Sequence, residues 1–284
     1  MTDRNLQPST FNLQLGSERI AQALAAARAR GETGLIPFIT AGDPDLETTA
    51  ELVPALERAG ADVVELGVPF TDPLADGPVV QAATERALKS GVTLAQIFHR
   101  VRELRRRTPI PIVLMTYYNP AFRYGLERLA DEARDAGVDG FIMTDLPPEE
   151  AAEWKAIADA RGLGTVFLLA PTSTPERIAL GARLSSGFVY CISRTGVTGV
   201  RAELPADLRA LLERIRAATD RPIAVGFGVS TPEHVRRIGA WADAAVVGSA
   251  IVSLVGQHGR EAAGPVAQFV RRLKGRESEN SGVS

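Results

Sequence analysis

The sequence has a single cysteine, few lysines and no long apolar run, and each shortage excludes a class of protein. With only Cys191, the chain forms neither an internal disulfide nor a cysteine-based metal cluster. An apolar stretch of about 18 residues, which a membrane-spanning helix needs, is missing, as is a signal-peptide pattern. The net charge of −2 gives no indication of a nucleic acid or an anionic membrane as a partner. We therefore expect a cytoplasmic protein.

The rest of the composition is ordinary for a globular protein. Of the 284 residues, 45% are hydrophobic and 23% are charged. This length suits one large α/β domain or two small ones. Because no linker of domain scale and no low-complexity segment interrupts the chain, we predict a single domain over residues 1–284. Its core spans about 17–274, between polar N- and C-terminal tails.

Short apolar runs alternate with amphipathic helical stretches from Leu35 to Lys274. The runs have the character of buried parallel strands and cover 35–40, 62–68, 112–117, 140–145, 165–170, 187–193, 223–228 and 244–250. One helix precedes the first strand, an extra helix at about 79–89 follows the second, and the last helix is predicted at 264–274.

About eight strand-helix units in a chain of this length predict a single (β/α)8 TIM barrel, with an extra N-terminal helix and an extra helix after strand 2. The alternative is an open, doubly wound sheet. We favour the barrel because no glycine-rich dinucleotide-binding fingerprint follows any strand.

In a barrel the active site lies at the C-terminal ends of the strands, and this position excludes two chemistries. A Schiff-base aldolase needs a lysine there, and a histidine metal site or a histidine acid/base needs histidines there. We expect the histidines on helix surfaces instead. All of these residues fall in or near predicted helices: Lys89, Lys155, Lys274, His99, His234 and His258.

Two acidic residues, Glu65 and Asp76, stand out at the end of the second strand and in the loop after it. Strand alternation places Glu65 on the same face as Val63 and Gly67, so it points into the barrel if they do. Two acids in different surroundings are able to take opposite proton-transfer roles. The alternative is a glutamate paired with an arginine and an aspartate that caps a turn.

Tyr190 and the glycines after strands seven and eight complete the candidate site. Tyr190 shares the inward face with Phe188, and a strand-end carboxylate is a suitable partner for its hydroxyl; plain core packing is the alternative. Gly228, Gly248 and Ser249 lie where barrels often bind phosphate through backbone N–H groups. Tight turns alone also explain these glycines.

Six motifs of this chain resemble motifs of the family of tryptophan synthase α subunits, and they follow one another along the chain in the same order as in that family. The longest and most specific is ELGVPFTDPLADGP at Glu65–Pro78. The others are PFITAGDP at Pro37–Pro44, YYNP at Tyr117–Pro120, DLP at Asp145–Pro147, SRTGVTG at Ser193–Gly199 and GFGV at Gly226–Val229. The resemblance covers roughly Phe11 to Lys274, nearly the whole chain.

The resemblance implies a lyase of tryptophan biosynthesis that cleaves indole-3-glycerol phosphate to indole and glyceraldehyde 3-phosphate by a retro-aldol step. Glu65 would handle the protons at indole C3 and at the glycerol hydroxyl. Asp76 would stay ionised and accept a hydrogen bond from the indole N–H, and Tyr190 would lie near Glu65. The substrate-binding residues implied are Phe38 and Tyr117 for indole, Gly199, Gly228, Gly248 and Ser249 for phosphate, and Thr198 to lock a lid loop over Asp76.

The resemblance also implies a partner. The chain would carry no cofactor and would work in an α2β2 heterotetramer with a β subunit that binds pyridoxal phosphate. The loops Thr71–Pro78 and Arg194–Pro205 would be lids that face this subunit. Two alternatives stay open: another phosphate-binding barrel, such as an isomerase or epimerase, and a non-catalytic barrel that activates a partner.

Overall fold

A ring of short parallel strands forms the centre of the molecule. The computed structural model describes residues 15–192, 206–226 and 228–276. In these residues the strands are β1 Gly34–Thr40, β2 Val64–Gly67, β3 Ile112–Thr116, β4 Gly140–Met143, β5 Gly164–Val166, β6 Leu168–Leu169, β7 Val189–Ile192, β8 Ile223–Gly226 and β9 Ala244–Val247. They form one sheet in the order β5-β4-β3-β2-β1-β9-β8-β7-β6.

The two ends of this sheet, β5 and β6, are halves of the single fifth strand that the sequence predicts. They are separated only by Phe167. β5 pairs with β4, and β6 pairs with β7, so the chain itself joins the two edges. The carbonyl of Phe167 also accepts a hydrogen bond from the backbone N–H of Tyr190, at 3.3 Å. The predicted (β/α)8 barrel is therefore confirmed.

Helices surround the ring. In the described part of the chain they are α1 Gly16–Ala29, α2 Leu46–Ala59, α3 Pro78–Lys89, α4 Leu94–Leu104, α5 Tyr118–Tyr124, α6 Leu126–Ala136, α7 Ala152–Ala160, α8 Pro175–Leu184, α9 Ala206–Ala218, α10 Pro232–Gly239, α11 Ser249–His258 and α12 Ala263–Leu273, with a short 3-10 helix at Gly259–Glu261. The extra helices, α1 before the first strand and α3 after the second, are confirmed. No helix among these is long and apolar enough to cross a membrane.

Two helices, α5 and α11, lie where the sequence predicts none. α5 follows β3 directly and contains Pro120 at its third position, where a helix has no i to i−4 hydrogen bond for proline to break. α11 begins at Ser249, inside the stretch 244–250 that the apolar pattern assigns to the eighth strand. The strand ends at Val247 instead, and Gly248 turns the chain into the helix.

Apolar side chains form two layers, one inside the ring and one between the ring and the helices. The inner layer contains Val63 and Phe188, and α1 adds Ile20 and Leu24 from the N-terminal end. Val63 faces inward, so by alternation Glu65 does as well. Cys191 belongs to the outer layer, as the alternation of strand six predicts. The floor of the barrel is therefore closed by α1.

Three aspartates among the described residues occupy the N-terminal end of the sheet. Each of them lies one or two residues before a strand. Its carboxylate accepts a hydrogen bond from a backbone N–H of an adjacent strand, at 2.7 to 2.9 Å. Each also pairs with basic side chains: Asp62 with Lys274, Asp139 with Arg19 and Arg105, and Asp243 with Arg216.

The histidines lie on helices, as predicted, but not all on the surface. His99 and His258 are exposed on α4 and α11. His234 is buried in α10, and its Nδ1 accepts a hydrogen bond from the backbone N–H of Ser230, at 3.3 Å. The surface prediction is wrong for His234 because it shares the inner face of α10 with Ile238, one helical turn away.

Candidate active site

β2 places the Glu65 side chain inside the barrel, next to Phe38 of β1 in the strand register. The residue is 1% exposed, and neither carboxyl oxygen has a hydrogen-bond partner among the described residues. Burial raises the pKa of this carboxyl to about 8, and the charge of Asp76 adds to the rise. Glu65 is therefore a weak acid that is mostly protonated at neutral pH. No arginine of the described residues pairs with it, in contrast to the structural alternative.

Asp76 lies in the loop that joins β2 to α3, and its side chain is half-buried. Its backbone N–H donates to the carbonyl of Pro73 at 3.1 Å, and its carbonyl accepts from Gln81 Nε2 at 2.9 Å. Burial raises the pKa of the Asp76 carboxyl, and a hydrogen bond with the Tyr117 hydroxyl opposes this rise. That Asp76 stays ionised remains a prediction, which Tyr117 favours and burial opposes.

Tyr117, at the end of β3, contacts the loop that carries Asp76. Its hydroxyl accepts a hydrogen bond from the backbone N–H of Ala75 at 2.9 Å, and its ring centre lies 5.3 Å from that of Phe70 on the same loop. Burial raises the pKa of Tyr117 to about 12, so the hydroxyl keeps its proton and donates a hydrogen bond to Asp76. Tyr117 therefore makes polar contacts with this loop through its hydroxyl, in addition to the apolar contact with indole that the family resemblance implies.

A narrow cleft opens between these residues at the C-terminal end of the barrel. Phe38, Asp76 and Tyr117 line it together, as the sequence predicts for a common site. Gly67 makes room for the Phe38 ring, because a Cβ atom at Gly67 would lie 2.6 Å from it. The cleft also contains the strand-end residue Thr40, together with Val68, Val80, Thr84, Met115, Thr116 and Thr144. The strand-end position of Thr40, in phase with Ile36 and Phe38, is the signal that points to it.

Tyr190 lies inside the barrel on β7 and is 7% exposed. Burial and the negative charge of Glu65 raise the pKa of Tyr190 well above 10. The two side chains are thus close, but Glu65 accepts no hydrogen bond from Tyr190 in this structure. The Tyr190 hydroxyl lies over Gly226, where a Cβ atom would be only 2.6 Å from the oxygen.

The glycines predicted to bind phosphate lie at the same end of the barrel. Gly248 is the N-cap of α11 and Ser249 its first residue, so the N–H groups of the first turn are directed toward the barrel end. A Cβ atom at Gly248 would lie 3.8 Å from the Phe38 side chain, which places this helix beside the cleft. Gly228 has φ of 64°, which favours glycine. Thr198 and Gly199 lie outside the described residues.

The geometry suits proton transfer on an apolar substrate. A neutral carboxyl lies deep among apolar side chains, a second carboxyl lies at the rim, and aromatic walls stand between them. Within the described ranges no group of three or more His, Cys, Asp and Glu side chains could hold a metal ion. The carboxyl and hydroxyl groups that line this cleft are candidates for the chemistry.

Comparisons with known proteins agree with this geometry. A model of the tryptophan synthase alpha chain family matches residues 24–280. The tryptophan synthase alpha chain of a Geobacter species is 51% identical over 257 residues, which are 90% of this chain and 96% of that one. The alpha chain of a Synechocystis species is 53% identical over 82% of this chain and 89% of its own length. A chain from the tryptophan synthase α2β2 complex of Pyrococcus furiosus superposes with a TM-score of 0.82 at 44% identity, over 86% of this chain and 98% of that one.

Proposed function

The chain belongs to the tryptophan synthase alpha chain family, and we propose that Glu65 and Asp76 are the residues that perform its reaction. The protein is a lyase of tryptophan biosynthesis, which cleaves indole-3-glycerol phosphate to indole and glyceraldehyde 3-phosphate. The observation that carries the proposal is Glu65, a fully buried carboxyl without a partner in the described structure, directly below an aromatic-walled cleft.

Glu65 acts first as an acid and then as a base. Its neutral carboxyl donates a proton to C3 of the indole ring, which breaks the aromaticity of the five-membered ring and makes C3 a leaving group. The resulting carboxylate takes the proton from the hydroxyl on the carbon bonded to C3. That carbon becomes the aldehyde as the carbon-carbon bond breaks, and the bonding electrons return to the ring. A pKa of about 8 suits both steps, because the neutral acid predominates at neutral pH and the carboxylate that it leaves is a stronger base than an ordinary glutamate.

Asp76 stabilises the charge that this protonation creates. When C3 gains a proton, positive charge appears on the ring nitrogen, and an ionised carboxylate that accepts the N–H hydrogen bond lowers the energy of that state. Tyr117 supports this role from its position under the loop, since its hydroxyl hydrogen-bonds to Asp76 and to Ala75. Tyr190 adds a neutral polar group near Glu65.

The phosphate is proposed to bind at the N-terminus of α11, through Gly248 and Ser249, with Gly228 beside them. A helix N-terminus offers unpaired N–H groups and a favourable dipole to an anion. Phe38 and Tyr117 enclose the indole ring. The proposed contributions of Thr198 and Gly199 rest on the resemblance of their motif alone.

The chain works with a partner and without a cofactor of its own. In this family the β subunit carries pyridoxal phosphate, and the two chains form an α2β2 heterotetramer, the assembly named for the Pyrococcus furiosus relative. We propose a cytoplasmic location, which agrees with a phosphorylated metabolite as substrate and a free cysteine, Cys191.

Release of indole from indole-3-glycerol phosphate tests the proposal, with the β subunit present and absent. We expect Glu65→Gln to lower kcat by about 100- to 10,000-fold, the usual contribution of general acid-base catalysis, and Asp76→Asn to cause a similar loss. Glu213→Gln is the matched control, because Glu213 is an exposed carboxylate on α9 that pairs only with the neighbouring Arg209 in the described structure.

Two outcomes would contradict the proposal. Full activity of Glu65→Gln or Asp76→Asn would refute that residue's role. A wild type that releases no indole, even with the β subunit, would indicate either a different phosphate-binding enzyme or a barrel that only activates its partner.

A further inference from the structure

Thr40, at the end of β1, carries a buried hydroxyl that has no hydrogen-bond partner in the part of the chain that the structure describes. The residue is 4% exposed, and its Oγ1 accepts and donates no hydrogen bond among the described residues. Among all the residues that the structure describes, the other buried side-chain atoms without a hydrogen-bond partner are the two Glu65 oxygens and Nε of Arg100. The Arg100 guanidinium already pairs through its other nitrogens. The unsatisfied groups in the barrel are therefore Glu65 and Thr40.

Thr40 faces the cleft. Ile36, Phe38 and Thr40 alternate along β1, and Ile36 belongs to the inner layer while Phe38 and Thr40 line the cleft. Because Phe38 pairs with Glu65 in the strand register and Thr40 pairs with Gly67, Thr40 lies one inward-facing layer above Glu65. It is thus closer to the opening of the barrel than the acid.

Two other threonines of the cleft, Thr116 and Thr144, are already engaged. Thr116 donates to the carbonyl of Tyr117 at 3.3 Å, and Thr144 donates to the carbonyl of Thr116 at 3.4 Å. Thr40 therefore differs from both in having its hydroxyl available. A buried polar group without a partner is rare in folded proteins, and a ligand is one way to satisfy it.

The position of β1 indicates which part of a ligand would reach Thr40. β1 lies between β2, which carries Glu65, and β9, which leads to Gly248 and Ser249 at the start of α11. Phe38 of β1 spans this interval, since its ring lies against Gly67 and its Cβ lies near Gly248. A substrate that reaches from Glu65 to the phosphate site passes over Thr40.

Indole-3-glycerol phosphate has one polar group left for this position. The proposed function assigns its indole N–H to Asp76, its phosphate to the start of α11, and the hydroxyl on the carbon bonded to indole to Glu65. The hydroxyl on the middle carbon of the glycerol chain has no assigned partner. On the basis of that proposed function, we infer that Thr40 is a substrate-binding residue whose hydroxyl hydrogen-bonds to this second glycerol hydroxyl.

Steady-state kinetics of Thr40→Val and Thr40→Ser, with the β subunit present, test the inference. Valine keeps the shape and removes the hydroxyl, so kcat/KM for indole-3-glycerol phosphate should fall about 10-fold, mainly through KM. Serine keeps the hydroxyl and should retain most of the activity. The melting temperature of Thr40→Val should equal or exceed that of the wild type, because the substitution removes an unpaired buried hydroxyl.

A substrate analogue separates the hydroxyl contact from a general change in the pocket. Indole-3-propanol phosphate keeps the indole and the phosphate but lacks both chain hydroxyls, so its inhibition constant should be the same for the wild type and Thr40→Val. Thr165→Val is the matched control outside the cleft, since Thr165 is 1% exposed and donates to the carbonyl of Leu184 at 3.2 Å. It should lower the melting temperature and leave kcat/KM unchanged.

Two results would overturn the inference while leaving the proposed function intact. One is an unchanged kcat/KM in Thr40→Val beside an active wild type. The other is an equal loss of affinity for the substrate and for the analogue without hydroxyls. A wild type that releases no indole would remove the proposed function itself, and the inference with it.

Discussion

Glu65 and Asp139 are both buried carboxyl groups, each 1% exposed, at opposite ends of one barrel. Asp139, at the N-terminal end, accepts hydrogen bonds from Arg19 at 2.5 Å, Arg105 at 2.6 Å and the backbone N–H of Ile112 at 2.7 Å. Glu65, toward the C-terminal end, accepts none from the described residues. Burial alone therefore does not assign a role to an acidic residue. A carboxylate with a full set of donors holds elements together, whereas one without them keeps its proton and is available for chemistry.

Removing the charge of Asp139 should have the largest effect on stability. Asp139→Asn leaves Arg105, whose side chain is 8% exposed, and Arg19 without their buried counter-charge. We expect the free energy of unfolding to fall by about 3–5 kcal/mol. Urea denaturation at pH 7 measures this. Glu65→Gln is the comparison and should not lower the stability, because the amide is neutral in both states, whereas the Glu65 carboxyl is mostly neutral when folded and ionised when unfolded at pH 7. Equal losses in the two variants would contradict the assigned roles.

The pH dependence of stability should differ between Glu65 and its variant. The pKa of Glu65 is about 8 in the folded protein, against an ordinary value of 4.5 when unfolded. Between these values the folded state binds more protons, so the free energy of unfolding falls as pH rises from about 4.5 to about 8. We expect a contribution on the order of 5 kcal/mol over the whole transition, which is absent in Glu65→Gln.

Denaturant titrations of both proteins at several pH values between about 5 and about 9, the window in which Glu65 titrates, give the difference directly. Titrating groups that do not interact with Glu65 cancel in this subtraction. Parallel stability curves would mean that Glu65 is ionised in the folded protein at neutral pH, in contradiction to its proposed first step as an acid.

Asp43 is the intermediate case, because it lies at the catalytic end but is paired. It is 2% exposed, and both its oxygens accept from Arg86 on α3, at 2.7 and 2.8 Å. If pairing rather than location decides the role, Asp43→Asn should cost stability, by about 1–2 kcal/mol for a partly exposed partner, and affect kcat only slightly. Thermal denaturation and indole release measure the two effects. A loss of kcat as large as that of Glu65→Gln would indicate that location matters more.

The strand pattern predicts the positions of these carboxyl groups well. Short apolar runs and their alternation place Glu65 inside the barrel and Cys191 outside it, because a parallel strand has only two faces. The motif after β2 likewise predicts that Asp76 lies close to Phe38 and Tyr117. These inferences depend only on strand period and on the rule that the C-terminal strand ends share one face of a barrel.

The sequence pattern does not predict the features that depend on tertiary contacts. α11 begins directly after a tight turn at Gly248, and no side chain caps it, so its apolar first half resembles a strand. α5 is hidden by Pro120, which usually marks a break. The engagement of the Tyr117 hydroxyl by Ala75 and the lack of a partner for Thr40 depend on distant parts of the chain, and no local pattern encodes them.

The packing of α1 against the N-terminal end of the barrel has a kinetic consequence. Ile20 and Leu24 are 0% and 1% exposed and fill the N-terminal end of the barrel below Glu65, so α1 closes the interior at that end. Among the described residues, protons, water, substrate and products then reach Glu65 from the opposite, C-terminal end. A bound substrate or a docked partner that covers the C-terminal end of the barrel therefore also sets the rate at which Glu65 exchanges its proton with the solvent.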